Sequence, residues 1–241
     1  MGVTPKRRIV MKLLQSVVLT VACSYTSLTM AGTEELNAVE QAFNAQTPTE
    51  LIHLAETLDE FDGFIANYRL GIKHQYSNEV DKAKSVAQAL VPELEAYTEA
   101  NPTDAEALAL LANVYGYTIS LLPEKAMEYG PLSQSTIKNA LELAPENARV
   151  LFFKGSLEYS TPTMFGGSKV KARETLSAAI SAYENDVASE RYWGHADAII
   201  LLGLTYLEEG KLDQARNYWQ QALVVQPNNG WAHFLLAQHT I

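Results

Sequence analysis

Small and apolar residues recur at helical spacing along residues 196–229, and they predict two adjacent helices. Gly210 marks the end of the first helix, because glycine accepts the left-handed conformation common at helix ends. Pro227 marks the end of the second, since proline cannot continue a helix. The pattern consists of Leu202, Gly203 and Tyr206 on the first helix, and Ala215, Trp219 and Ala222 on the second.

This spacing, L-G-x2-Y-x8-A-x3-W-x2-A-x4-P, resembles the tetratricopeptide repeat (TPR), a helix–turn–helix unit of about 34 residues. Gly203 and the two alanines would let the antiparallel helices approach closely, while Tyr206 and Trp219 would fill the space between neighbouring hairpins. An unrelated pair of helices is the alternative, but it would match these positions only by chance. The resemblance implies stacked neighbours, because one hairpin cannot bury its apolar face alone.

The rest of the chain contains degenerate copies of the same pattern. Leu70 and Gly71 repeat the Leu-Gly pair, and Gly155 stands at the equivalent position of a later unit. The resemblance therefore implies an all-α, right-handed α-solenoid of about three to four TPR helix hairpins at residues 63–241. We expect an N-terminal helical cap at residues 32–62 and a C-terminal closing helix at residues 230–241, which would cover the last apolar face.

The first residues of the chain differ from the rest in charge and hydropathy. An apolar run at residues 13–22 follows a basic segment, and the first acidic residue is Glu34. This order is typical of a secretory signal peptide, which we place at residues 1–31 with Met11 as an alternative start. We therefore expect a periplasmic or secreted bacterial protein without a transmembrane domain in the mature chain. The basic residues are Lys6, Arg7, Arg8 and Lys12.

Cys23 leaves two other readings of this segment open. Residues 19–22 before it resemble a lipobox, so a lipoprotein anchored in the membrane through Cys23 is the alternative localisation. An uncleaved membrane anchor is less consistent with the run, because Gln15, Ser16 and Ser24 interrupt it. Cleavage after residue 31 would remove the chain's one cysteine, and it would exclude disulfides and cysteine-based catalysis in the mature protein.

Charge and motif content argue against several classes of function. The net charge of −10 disfavours nucleic acid, whose binding needs a basic footprint. The five histidines show no metal-binding spacing, so we expect no metal and no cofactor. Ser168 and Lys171 match the Ser-x-x-Lys pair of serine β-lactamases and penicillin-binding proteins, but the companion motifs are missing. We therefore expect a protein that is not an enzyme.

The TPR resemblance also implies a binding groove, because the first helices of TPR hairpins line a concave surface. Aromatic and Arg side chains at inward positions are good interface anchors. For each tyrosine, packing between helices is the alternative role. The groove candidates are Tyr76, Asn113, Tyr117, Arg149, Phe152 and Tyr159.

Two insertions relative to the ideal repeat supply further candidates. Each lies between the two helices of a single hairpin, at residues 119–131 in one hairpin and 160–167 in the next, and both should emerge on one edge of the array. Their apolar side chains, including Met164 and Phe165, must pack against something. We expect a rim that binds a partner or ligand together with the adjacent groove. The alternative is that these loops only pack on the protein itself.

These observations favour a non-enzymatic scaffold that mediates protein–protein interaction in the bacterial envelope. Its partner would be an envelope protein. Residues 161–167, followed by Ala172, also resemble the TPR components associated with TRAP transporters. That resemblance implies the alternative function, a periplasmic component that serves a transporter and binds a small apolar ligand.

Overall fold

The structure is a computed structural model that describes residues 34–45, 47–58 and 60–240. This part of the chain is all-α and contains no strand, as the repeat pattern predicts. The proposed signal peptide at residues 1–31 and Cys23 lie outside the described residues. The helices are α1 (Glu34–Asn44), α2 (Thr49–Thr57), α3 (Glu60–Tyr76), α4 (Val80–Ala100), α5 (Ala105–Leu121), α6 (Ala126–Leu143), α7 (Ala148–Ser160), α8 (Lys169–Asn185), α9 (His195–Leu207), α10 (Leu212–Val225) and α11 (Gly230–Gln238).

Four helical hairpins form the array, namely α3 with α4, α5 with α6, α7 with α8, and α9 with α10. The second helix of each hairpin packs against the first helix of the next, which is the stacking expected of a solenoid. Asparagine, aspartate and serine caps start several of these helices. For example, the Asp104 side chain accepts a hydrogen bond from the Ala107 N–H. The all-α solenoid expected from the sequence is therefore confirmed.

The last hairpin confirms the role of its small residues. Trp219 is fully buried, and its indole N–H donates a hydrogen bond to the Ile200 carbonyl at 3.3 Å. A Cβ atom on Gly203 would lie 2.5 Å from the Trp219 indole nitrogen, closer than real Cβ contacts allow. Glycine at position 203 is thus required for α9 and α10 to approach each other around this indole ring.

Helix α1 packs against α2 and against α3, the first helix of the first hairpin. Its buried face belongs to the same core cluster as buried residues of α3, α5, α7 and α9. Its last residue, Asn44, accepts a hydrogen bond from the Gly230 N–H at 3.0 Å through the side-chain oxygen. Helix α1 therefore connects the first hairpin to α11. The buried residues of α1 are Leu36, Val39, Ala42 and Phe43.

The segment at residues 186–194 also packs back onto the array. Trp193 is buried, and its ring lies 5.6 Å from the ring of Phe153 on α7. Arg191 forms an ion pair with Asp104 at 2.8 Å and covers the Phe61 ring at 4.0 Å.

Among the helices of the described residues, none has the length and apolar content that a membrane crossing requires.

Candidate functional site

The first helices of the hairpins, α3, α5, α7 and α9, share one surface, which we call the inner surface. A cavity of about 150 Å³ lies on it beside the end of α1. Helices α1, α3, α5, α7, α9 and α11 all contribute to its walls. We call it the aromatic cavity, because half of its lining residues carry aromatic rings. These residues are Phe43, Tyr68, Tyr76, Tyr117, Phe152 and Trp231.

The aromatic cavity brings together three of the groove residues singled out in the sequence, Tyr76, Tyr117 and Phe152. Tyr76 is 58% exposed at the cavity, and its ring lies 6.4 Å from that of Trp231 on α11. Phe152 is buried and forms part of the core. The cavity therefore joins the exposed Tyr76 and the half-buried Trp231 to a buried aromatic wall.

Asn113 stands behind this wall and fixes one of its tyrosines. Its side-chain amide donates a hydrogen bond to the Tyr68 hydroxyl at 3.3 Å, and both side chains are buried. Burial raises the pKa of Tyr68 to about 12, so the phenol stays neutral at physiological pH. Asn113 itself does not line the cavity, but it positions Tyr68, which does.

Tyr117 carries a buried polar atom without a partner. Its hydroxyl oxygen forms no hydrogen bond within the described residues, although its ring packs edge-on against Tyr68 at 6.1 Å. Burial raises the pKa of Tyr117 above its ordinary value, which keeps the hydroxyl protonated. Gly71 leaves the space for this ring, since a Cβ atom there would lie 3.2 Å from it. The hydroxyl has almost no accessible surface, so a guest in the cavity does not reach it, and leaving it unpaired is unfavourable for the fold.

Arg149 lies away from the aromatic cavity, in buried ion pairs of its own. Its guanidinium contacts Glu106 at 2.8 Å and Asp186 at 2.6 Å. These contacts tie α7 to α5 and to the residue that follows α8. The side chain is 3% exposed, so it acts within the fold between these helices.

Tyr159, Met164 and Phe165 lie at the second insertion. The Tyr159 hydroxyl donates a hydrogen bond to Glu208 at 2.6 Å, and the Lys169 ammonium group lies 3.5 Å from its ring centre. Met164 and Phe165 sit on a short 3-10 turn and are 83% and 65% exposed. These two side chains form an exposed apolar patch, which we call the rim patch.

The first insertion behaves differently from the second, because most of its apolar residues pack on the protein. Leu121 is buried in a small cluster with Ala83 and Ala87 of α4. Tyr129 packs against Tyr115 with 5.1 Å between ring centres. Met127 alone among the large apolar residues of this insertion is strongly exposed, at 88%. The two insertions therefore differ in how much apolar surface they leave free.

A buried charge network, which the sequence analysis missed, joins the inner helices. Arg69 of α3 contacts Glu40 of α1 at 2.7 Å and Asp197 of α9 at 2.6 Å. Burial alone would lower the pKa of Arg69, but the two carboxylates raise it and keep the guanidinium charged. The only signal in the sequence is a charged residue beside the inward Tyr68, and it does not reveal the partners.

Lys73 completes the set of contacts that hold α1. Its ammonium group donates hydrogen bonds to the Phe43 carbonyl at 2.9 Å and to the Ala45 carbonyl. A cation at a helix C-terminus satisfies carbonyls that have no partner within the helix. The inner surface thus binds a short helix by its apolar face, by a carboxylate and by its C-terminal carbonyls.

Two further observations limit the chemistry of the described residues. No group of three His, Cys, Asp or Glu side chains lies close enough there to hold a metal ion. A larger depression of about 570 Å³ lies between the turn before α7 and the outer side of α8, and it is lined mainly by small and polar residues. None of the groove or rim candidates lines that depression.

Comparison with known proteins agrees with this architecture. Residues 196–229 match the tetratricopeptide repeat family. The HusA haemophore from Porphyromonas gingivalis is 25% identical in sequence, with 72% of this chain and 92% of HusA covered and a TM-score of 0.56. TTC0263, a thermophilic TPR protein in Thermus thermophilus, is 18% identical, with 85% of this chain and 91% of that chain covered and a TM-score of 0.49. A comparison with curated proteins gives no significant match.

The matched segment coincides with the hairpin of α9 and α10, in which Gly203 and Trp219 make the expected close contact. Residues 196–229 therefore form a tetratricopeptide repeat, and it is part of an all-α solenoid of helical hairpins.

Proposed function

We propose that the protein is a non-enzymatic TPR binding scaffold that mediates protein–protein interaction in the bacterial envelope. The repeat supports the general class, because TPR arrays present extended surfaces to other proteins. One observation carries the proposal further, namely the placement of α1. The inner surface already holds a helix through buried apolar side chains, Arg69 and Lys73, which is the chemistry of helix recognition.

The surface that α1 leaves free would receive the partner. It consists of the aromatic cavity with Tyr76 at its exposed side, and of the rim patch formed by Met164 and Phe165. Exposed apolar groups on soluble proteins tend to mark interaction sites, and methionine adapts well to varied partners. The envelope location is supported by the signal-peptide pattern of residues 1–31, with release into the periplasm or tethering through Cys23 as its two forms.

Site-specific photo-cross-linking in the bacterium tests the scaffold proposal. The photoreactive residue p-benzoylphenylalanine replaces Tyr76 in one variant and Phe165 in another. Val224 serves as the control position, because it is 82% exposed but lies on α10 away from both surfaces. We expect a discrete cross-linked protein from positions 76 and 165 and none from position 224. Equal cross-linking at all three positions would contradict a specific site.

Mass spectrometry of the mature N-terminus tests the envelope location. A chain that starts near residue 32 supports export, and an acylated Cys23 supports the tethered form. An unprocessed chain that starts at Met1 or Met11 would contradict both.

The likeness to HusA gives a second candidate, which is a small-molecule binder. HusA is a haemophore and shares the fold with this chain at 25% identity. The aromatic cavity of about 150 Å³ is smaller than the roughly 300–1,000 Å³ of usual small-molecule sites, so a haem-sized ligand would require α1 to move. Titration with haemin, followed by its absorbance, tests this candidate with Tyr76→Ala as the comparison variant.

A further inference from the structure

The described part of the chain contains two methionines, Met127 and Met164, and both are strongly exposed. They are 88% and 83% exposed, more than any other large apolar side chain there. Methionine is among the residue types that proteins most often bury, so two exposed methionines are unusual. Met127 lies in the first turn of α6, and Met164 lies on the 3-10 turn of the second insertion.

Exposure makes these two side chains accessible to an oxidant. Methionine is oxidised to its sulfoxide when an oxidant reaches the sulfur atom. The described residues contain no cysteine, so Met127 and Met164 carry all of their sulfur atoms. A peroxide that reaches this part of the protein therefore finds its sulfur targets at these two positions.

The two methionines differ in what surrounds them. Met164 is followed by Phe165, which is 65% exposed, and the two form the rim patch. Met127 is followed by Glu128, whose carboxylate pairs with the Lys125 ammonium group at 2.8 Å. Oxidation of Met164 thus changes an apolar patch, whereas oxidation of Met127 changes a charged surface. Met127 is therefore an internal reference for effects that do not involve the rim patch.

Backbone hydrogen bonds hold the turn that carries Met164. The Phe165 and Gly167 N–H groups both donate to the Pro162 carbonyl, at 2.9 Å and 3.2 Å. Gly166 ends the turn in the left-handed conformation, with a φ of 94°, which glycine adopts without strain. None of these interactions uses the Met164 side chain, so its oxidation should change the surface of the turn and leave the fold intact.

Oxidation places a polar group in the rim patch. The Met164 sulfur forms a bond to one peroxide oxygen as the O–O bond breaks, and the second oxygen leaves as hydroxide. This hydroxide takes the proton of the new S–OH group and becomes water. The sulfur is oxidised by two electrons, and the peroxide is reduced by two. The sulfoxide oxygen is a hydrogen-bond acceptor, and burying it against an apolar partner surface without a donor is unfavourable.

We propose that Met164 is an oxidation site through which peroxide switches off partner binding at the rim patch. The proposal rests on the scaffold function above and specifies its regulation. In the thioether form the rim patch is apolar and binds the partner, and in the sulfoxide form it is polar and releases the partner. Methionine sulfoxide reductases return the side chain to the thioether, so the switch is reversible.

The first test measures how readily each methionine reacts. The purified protein is treated with hydrogen peroxide in buffer and in urea, and peptide mass spectrometry follows sulfoxide formation at Met127 and Met164. At 88% and 83% exposure, folding should slow both reactions by less than about threefold. A larger slowing at Met164 would overturn the proposal, because the fold would then protect the sulfur. A lower melting temperature after oxidation would also overturn it, since the loss of binding would then come from damage to the fold.

The second test asks whether oxidation of Met164 releases the partner. p-Benzoylphenylalanine at position 76, which lies outside the rim patch, reports the cross-linked partner. The purified protein is oxidised and freed of peroxide before it is mixed with envelope extract, so that the partner itself is not oxidised. We expect binding to weaken by about 5- to 150-fold, the effect of one buried polar group without a hydrogen bond. Treatment with methionine sulfoxide reductases should restore the cross-link.

Three variants assign the effect to one sulfur atom. Met164→Leu keeps an apolar side chain that peroxide does not oxidise, so its cross-link should survive the treatment. Met127→Leu is the matched control and should lose the cross-link on oxidation as the wild type does. Met164→Gln places a polar amide near the position of the sulfoxide and should weaken the cross-link without peroxide. Loss of the cross-link in oxidised Met164→Leu would assign the effect to another group and overturn the proposal.

The cross-linking results also separate this inference from the scaffold function. An undiminished cross-link after complete oxidation of Met164 would overturn the oxidation switch and leave the scaffold function standing. Absence of any cross-linked partner before oxidation would contradict the scaffold function. The switch would then fall with it, because no binding would remain for oxidation to control.

Discussion

Replacement of Arg69 by methionine tests whether the buried charge network holds the inner helices together. The Arg69 side chain is 3% exposed and contacts the carboxylates of Glu40 and Asp197 at 2.7 Å and 2.6 Å. Methionine has a similar length and packs well against the neighbouring Phe43 ring, so the change removes charge more than volume. The variant leaves two buried carboxylates without their cation.

The expected loss in the free energy of unfolding is large. Removal of one partner from a buried ion pair typically costs about 3–5 kcal/mol, because the remaining charge stays desolvated and unpaired. The second substitution Asp197→Asn, made in the Arg69→Met background, removes one orphaned charge and should recover part of this loss. Lys138→Met is the matched control, since the Lys138–Glu142 pair is 76% and 64% exposed. Such exposed pairs are worth roughly 0–1 kcal/mol.

Urea denaturation, followed by far-ultraviolet circular dichroism, gives the free energy of unfolding for each variant. Arg69→Met should lose at least about 2 kcal/mol more than Lys138→Met, given the two ranges above. Equal losses in the two variants would refute it. No recovery in the double variant would show that the loss comes from packing and not from the unpaired carboxylate.

Three further predictions concern single positions. Gly203→Ala should lower the free energy of unfolding by about 1–3 kcal/mol, because its Cβ atom would meet the Trp219 ring. Gly230→Ala is the control, since its Cβ atom would meet no atom and the change should alter stability by less than about 0.5 kcal/mol; thermal unfolding compares the two. Asn229→Ala should cost about 1 kcal/mol in urea unfolding, since it removes the cap of α11. Burial lowers the pKa of His195, so its contribution to stability is complete above roughly pH 6.5 and declines as the pH falls from there towards the folded pKa; His195→Gln should flatten this part of the pH–stability curve.

The hairpin architecture follows from the sequence because its determinants are local. Gly203 and Trp219 contact each other and are separated by less than one repeat, so the spacing within a single hairpin predicts their contact. The same holds for the caps, in which a side chain bonds to a backbone group three residues later. The periodicity, together with the glycine, proline and cap residues at the helix ends, therefore predicts both helices and their pairing.

The candidate site follows only in part, because its determinants are distant in the chain. Projection of the repeat places Tyr76, Tyr117 and Phe152 inward, and the structure brings them to one cavity. The same projection places Arg149 inward, but its charge is paired with Glu106, 43 residues away. Arg69 and Asp197 are separated by 128 residues. Repeat spacing indicates the direction of a side chain but does not identify its partner.

The docked position of α1 also restricts how a partner can approach the array. Leu36, Val39 and Phe43 are at most 9% exposed, and such side chains contribute up to about 1.5–3 kcal/mol each when buried. The contacts with Arg69 and Lys73 add to this. A partner that displaced α1 would have to replace all of these interactions before it gained any affinity. A partner that binds the remaining surface at the aromatic cavity and the rim patch avoids that cost, which is why the inner surface beside α1, and not the groove as a whole, is the site to test.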